Sequence, residues 1–288
     1  VRERPPFPRI NRSAPIWGGV AFAPLGGGAG TLAMLDSSGY GNHGLLTGYT
    51  GAGNTPVDRW GWAMGRAVLG FDGSTNYVQN STFRFNCQYP FTLAAWMYST
   101  ADLGVSIQTA LSIGASSSQY FAIGFKSLST YVAVPLLAGR NTGFDPLPSP
   151  VDVGLFVWTH VAGVFVSAAS RLLYVNGALV ATDTSSVTEL TTGTRCHVGS
   201  NPHTGILTPF AGSIGDPVVL ARAVPPAEIA RLADPSNVMY RMGGVDGILD
   251  PVARLLRCFP VSAGGAPPAG PYRWPWQGRR ARRTRGAA

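Results

Sequence analysis

The alternation of apolar and polar positions is densest over residues 155–183, which read LFVWTHVAGVFVSAASRLLYVNGALVATD. The left half is rich in Val, Phe and Trp, residues that fit a pleated, buried surface. Asn176-Gly177 then separates two apolar runs, residues 172–175 and 178–181. Both central positions of a tight hairpin turn need positive φ, which Asn-Gly supplies at low cost. Upstream, Trp158-Thr159-His160-Val161-Ala162 opens a strand that ends near Val166, and residues 167–170 turn the chain back. The stretch predicts a meander of antiparallel strands.

The same period runs through residues 91–98. Phe91, Leu93, Ala95 and Met97 fall on one face, with Thr92, Ala94, Trp96 and Tyr98 on the other. Both faces are largely apolar, which predicts an inner strand covered on both sides. Further strands are expected over residues 20–25, 45–47, 67–71, 110–113, 120–126, 130–137, 195–200 and 210–220, a spacing that suits a sandwich. Asp72-Gly73 reads as a second hairpin-type turn. Residues 51–59 read as a loop, and Trp60 and Trp62 after it as core aromatics rather than a sugar-stacking platform. Residues 141–151, with Pro146, Pro148 and Pro150, read as a long irregular loop. A helix is expected over residues 225–232. Pro near its start removes an N–H that would have no partner, Glu228 lies in the positive first turn, and Asp234-Pro235 stops it.

These elements carry a resemblance. Trp158-Thr159-His160-Val161-Ala162 followed by Leu173-Tyr174-Val175-Asn176-Gly177 is similar to the laminin-G-like, concanavalin A-type jelly roll. The pattern continues upstream in residues 36–44, in Phe71-Asp72-Gly73 with Tyr77-Val78, and in residues 91–96. Downstream it continues in Val198-Gly199, residues 210–214 and Pro226-Ala227-Glu228-Ile229, so that it spans roughly residues 16–235 in family order. The resemblance implies an all-β, two-sheet antiparallel jelly-roll sandwich with one short helix. It implies little about function, because this fold hosts lectins, adhesion modules, glycosidases and structural domains.

Composition changes the picture at the two ends. The formal net charge is +8, of which residues 1–12 hold +3 and residues 273–288 hold +6, leaving −1 for the body. Lys126 is the single lysine against a background of arginine, which reads as genome composition rather than a selected property. Residues 1–15 and 239–288 are rich in Pro and Arg and lack periodicity, so they read as extended arms flanking a domain over residues 16–238. No apolar run reaches the length of a transmembrane helix. Residues 1–8 lack the apolar core of a secretory signal, so any signal was removed before this numbering or the protein leaves the cell without one. Cys87, Cys196 and Cys258 have no metal-ligand spacing and read as buried thiols, with one disulfide plus a spare thiol as the alternative.

Candidate chemistry is sparse. The glucanases of this fold carry Glu-x-Asp-x-x-Glu on one strand, whereas the only glutamates here are Glu3, Glu189 and Glu228. The paired carboxylates that glycoside hydrolysis needs are missing from the pattern. His43, His160, His197 and His203 accompany no nucleophile elbow, and His160 reads as structural. No catalytic residue and no cofactor is expected. Calcium-binding relatives place two adjacent acids after a Phe-x-Gly-x-Ile strand; here those positions are Gly215 and Asp216, so Asp216 is a lone candidate cation ligand and is read as a turn residue. In the C-terminal arm, Tyr272, Trp274 and Trp276 beside Arg279, Arg280, Arg282, Arg283 and Arg285 suit docking on a protein neighbour better than on nucleic acid. The expected function is a non-catalytic structural or adhesion component of a large extracellular assembly, in first place a phage virion decoration or tail protein held by its arms. A free carbohydrate-binding module is the alternative and a glycosidase a distant third. No sequence feature marks the carbohydrate-binding residues.

Overall fold

The two-residue alternation of residues 91–98 is realised in a strand that lies at the centre of one of two stacked sheets. The computed structural model describes residues 32–64, 66–85, 87–101, 107–129, 132–141, 143–190, 195–202 and 208–236, together with three short strands outside them. In chain order the first strands are β1 (Arg9–Ile10), β2 (Val20–Phe22), β3 (Ala33–Met34) and β4 (Gly44–Thr47). The one-turn helix α1 (Pro56–Arg59) leads into β5 (Trp60–Ala63), β6 (Arg66–Asp72), β7 (Tyr77–Asn80) and β8 (Phe91–Ser99). Then come β9 (Ile107–Ser116), β10 (Gln119–Ser129), β11 (Val132–Arg140), β12 (Phe144–Pro148) and β13 (Val153–Gly154). The meander is β14 (Thr159–Ser167), β15 (Ser170–Val175) and β16 (Ala178–Asp183). After it follow β17 (Arg195–Val198), β18 (Ala211–Leu220), α2 (Pro226–Leu232) and β19 (Tyr240–Arg241).

One sheet has the order β12-β11-β10-β9-β17-β7-β4-β3, with β13 also on β11; the other has β16-β15-β14-β8-β18-β6-β5, with β2 on β18. All pairings are antiparallel. The inward face of β8, with Phe91, Leu93, Ala95 and Met97, meets Phe121, Ile123 and Phe125 of β10 in one large core. Phe91 stacks on Phe165 at 4.5 Å between centroids, and Phe121 meets both edge-on. A second, smaller core lies on the outer side of the β8 sheet. There Ile229 and Leu232 of α2 cover Ala94, Ala162, Val164, Val218 and Leu220. Helix α2 begins with Pro at its first position and carries Glu228 in its first turn, as expected.

The Asn176-Gly177 turn has both residues at positive φ, +48° and +84°, and Val161 pairs with Val175 as the meander requires. Three expectations are corrected. Asp72-Gly73 makes no hairpin: β6 and β7 belong to different sheets. The Asp72 carboxylate instead collects the N–H groups of Ser74, Thr75 and Asn76 and steers the chain across the sandwich. Residues 141–151 are not irregular throughout, because residues 144–148 form the edge strand β12 despite two prolines. An edge position tolerates Pro because its missing N–H would have faced away from the ladder. The strand of the meander opens at Thr159, one residue after the expected Trp158. Phe156 has φ +65°, which breaks the extended run and leaves Phe156 and Val157 more than half or half exposed, at 54% and 50%.

Candidate functional site

The outer face of the β8 sheet divides into a covered half beneath α2 and an open half beyond it. Cross-strand register defines the boundary. Trp96 of β8 lies opposite His160 of β14, and both are buried. Their rings meet edge-to-face at 5.4 Å, and the guanidinium of Arg66 sits 5.1 Å above the Trp96 ring. Arg66 Nε donates to Asp216 Oδ2 at 2.6 Å and Arg66 Nη2 donates to the Asp234 carbonyl at 3.0 Å. Burial, and secondarily the Arg66 charge, pushes the His160 pKa down to about 3, so its imidazole is neutral at physiological pH. Its backbone N–H donates to Asn176 Oδ1, tying it to the hairpin turn. His160 is a packed structural histidine.

One row further from α2 the surface opens. Tyr98 and Trp158 lie side by side, centroids 5.3 Å apart and planes tilted by 37°, and both are partly exposed. Phe156 approaches the Tyr98 ring edge-on at 6.3 Å. A bulky residue at positive φ is a backbone outlier, at a cost of about 1–3 kcal/mol. The Phe156 N–H donates to the Ser99 carbonyl at 2.8 Å, which anchors the turn to the end of β8. The result is a platform of three aromatic rings, one held outward by a strained backbone. Such faces present negative π-density and apolar area, and they match the C–H edges of a sugar ring.

Asp216, the candidate cation ligand, lies in a bulge of β18 at φ +45° and is occupied by Arg66. Among the described residues no group of three His, Cys, Asp or Glu side chains is placed to hold a metal. Glu189 accepts the Tyr89 N–H and Glu228 pairs with Arg222. Cys87 and Cys196 are free and buried, and burial raises both thiol pKa values, that of Cys87 to about 12. Trp60 packs against the main core. The docking residues proposed for the arm, Tyr272, Trp274, Trp276, Arg279, Arg280, Arg282, Arg283 and Arg285, lie outside the described residues, as does Cys258.

Two features escaped the sequence pattern. The aromatic platform draws on β8 and on a turn more than fifty residues later, so no local motif signals it. The other is a carboxylate pair. Asp145 of β12 and Asp183 of β16 come from different sheets and share the fully buried guanidinium of Arg171. Arg171 Nη2 donates to Asp145 Oδ2 at 2.6 Å and also to Asp183 Oδ2, while Nη1 donates to the Asp145 carbonyl at 3.0 Å. Burial alone would raise the Asp183 pKa, but donors from Ser185 and the Arg171 charge hold it below the ordinary value. A pair tied in this way clamps the two sheets together at one edge.

The architecture is that of a jelly roll, two antiparallel sheets with a short helix laid on one of them. Residues 72–230 match the laminin G family of the concanavalin A-like lectin/glucanases superfamily, and the chain belongs to this family. The sequence has no match among curated proteins. Among solved structures, domain 4 of AbnA, an extracellular arabinanase of Geobacillus stearothermophilus in complex with arabinotriose, is similar with TM-score 0.55 and 16% identity, over 75% of this chain and 98% of that one. The binding domain of botulinum neurotoxin DC in complex with SialylT is similar with TM-score 0.54 and 15% identity, over 76% of this chain. The binding domain of botulinum neurotoxin serotype D/C VPI 5993 gives TM-score 0.53 and 19% identity. The chain spans about half the length of these two toxin domains, 52% in each case. These likenesses are of fold.

Proposed function

We propose that the protein is a glycan-binding module of lectin type, without catalysis, and that Tyr98, Phe156 and Trp158 form its sugar-stacking platform. The observation that carries this reading is the Phe156 ring, held outward at φ +65° beside two partly exposed aromatics. Backbone strain of this kind persists where surrounding structure enforces it and clusters at ligand-binding sites. The solved relative bound to arabinotriose, matched over nearly its whole length, supports the same reading. A non-catalytic role is favoured because the Asp145 and Asp183 carboxylates both hold Arg171, so neither is a free acid poised to protonate a leaving group. Apart from the paired strands β1 and β19, the arms on which a virion role rests lie outside the described residues, and the platform favours the glycan reading.

The test is binding of the purified full chain to an array of oligosaccharides, followed by titration of the best binders. Trp158→Ala should cost about 2 kcal/mol, roughly thirtyfold in affinity, as truncation of a central aromatic anchor does. Leu179→Ser, an exposed change on β16, should bind as the parent does. Equal affinity of parent and Trp158→Ala for every glycan that binds would refute the platform.

A further inference from the structure

We infer that the platform is one end of an extended binding strip that takes an acidic oligosaccharide, with the anionic group seated on Arg59. This inference rests on the glycan reading above. Its basis is register. Trp158 stacks beside Tyr98, Tyr98 pairs with Ser213 of β18, and Ser213 pairs with Gly70 of β6. The pairing of Trp60 with Leu69 then brings Arg59 alongside Gly70, where a Cβ built on the glycine would lie 3.5 Å from Arg59 Cδ. All five residues are partly exposed, whereas His160, Trp96, Gly215 and Val68 in the neighbouring outward row are buried. Adjacent strands lie about 4.8 Å apart, so five consecutive positions span about 19 Å, more than one sugar ring.

The chemistry changes along the strip from two aromatic faces to a hydroxyl, a glycine floor overlain by Arg59, and the Arg59 guanidinium. The missing side chain at Gly70 lets Arg59 itself lie close to the sheet, its O and Cδ 3.4 and 3.5 Å from where a Cβ would stand. Tyr49 donates its hydroxyl to the Gly70 carbonyl at 3.1 Å from below and braces this floor. Arg59 is positioned before any ligand arrives. Its Nε donates to Asn54 Oδ1 at 2.9 Å, and Asn54 Nδ2 donates to the Gly48 carbonyl at 3.0 Å. Among the described residues no acceptor meets the two Nη nitrogens, whose fork geometry suits a carboxylate or a sulfate. The acid closest in register, Asp72 on the next outward row, already accepts three backbone N–H groups and the Thr75 hydroxyl. Those donors hold its pKa below the usual carboxylate range against the effect of burial.

The experiment titrates the full chain with matched probes: lactose, sialyllactose and sulfated lactose on one core, and tetragalacturonate against its methyl ester. At least one acidic probe should bind about tenfold more tightly than its neutral counterpart, a preference that falls as salt rises. Arg59→Gln should reduce that ratio to about twofold or less. The sialyl, uronate and sulfate arms identify which anion the site takes. Gly70→Val presses on Arg59, whose O and Cδ lie 3.4 and 3.5 Å from the added Cβ, and should weaken the tetramer. Thermal melts of both variants confirm that they fold. Neutral probes binding through Trp158 with no acidic preference, or a preference that survives Arg59→Gln, overturn the inference and leave the glycan reading standing. A tetramer affinity unchanged by Gly70→Val overturns the extended strip. No binding by any probe sinks both.

Discussion

Phe156 sets the character of the molecule at the scale of single residues. At φ +65° with 54% of its surface exposed, its ring contributes little burial and its backbone carries strain. Phe156→Gly should therefore raise stability by about 1 kcal/mol while weakening glycan binding. Phe156→Ala, which keeps the strain and loses the ring, should weaken binding without the gain. Thermal melts paired with titrations separate the two, and a Phe156→Gly variant less stable than the parent would show that the backbone is not strained. Gly177 makes the opposite case. A Cβ there would lie 3.1 Å from the Ala230 Cα and 3.3 Å from the Ala233 Cβ, and φ is +84°. Gly177→Val should cost about 1–3 kcal/mol by strain, with added pressure on α2, read as a lower melting temperature. His160 carries a pH dependence. Its folded pKa lies near 3, below the unfolded value of about 6.5, so the unfolded chain binds more protons between them. Stability contributed by the neutral ring is present above pH ~6.5 and is lost as pH falls toward 3. His160→Gln should flatten that part of the stability–pH curve, measured by denaturant titration at several pH values.

At the scale of elements, the strands with two-residue alternation were legible because burial on one or both faces imposes the pattern directly. β8, β14 and β15 fall within a residue or two of where alternation places them, and Asn176-Gly177 fixed the hairpin between β15 and β16. The strand β12 was hidden because its prolines read as loop, and its partner β11 supplies the ladder that holds it. Asp72-Gly73 misled because the same dipeptide serves a hairpin or a crossing between sheets, and only tertiary pairing decides. The site was hidden for a related reason. Trp158 read only as the opening of a strand, and nothing local showed that the turn at Phe156 brings it to the surface beside Tyr98. The Arg171 clamp was equally invisible, since Asp145, Arg171 and Asp183 share no local spacing. Arg171→Met leaves two carboxylates facing one another beside an apolar interior, and should cost about 3 kcal/mol. Denaturant unfolding measures it, and a loss below about 1 kcal/mol would reduce the clamp to a surface ion pair.

At the scale of the whole molecule, the two sheets divide the work. The sheet of β9, β10 and β11 supplies the aromatic half of the core, and the sheet of β8, β14 and β18 carries both α2 and the open strip. Helix α2 seals the apolar patch around Ala94, Ala162, Val164 and Val218 on that outer face. A sandwich of this kind must also keep its outermost strands from recruiting other chains. Pro146 and Pro148 occupy alternate positions of β12, opposite Ala138 and Leu136, so the ladder side keeps its bonds and the solvent side lacks two donors in succession. An incoming strand finds gaps where amide hydrogens should be. The prolines thus act as colloidal protection: copies of the domain at high local density meet their neighbours without stitching to them. Changing both to Thr should leave the fold intact but promote concentration-dependent oligomers in light scattering, and a chain that stays monodisperse would assign that protection elsewhere.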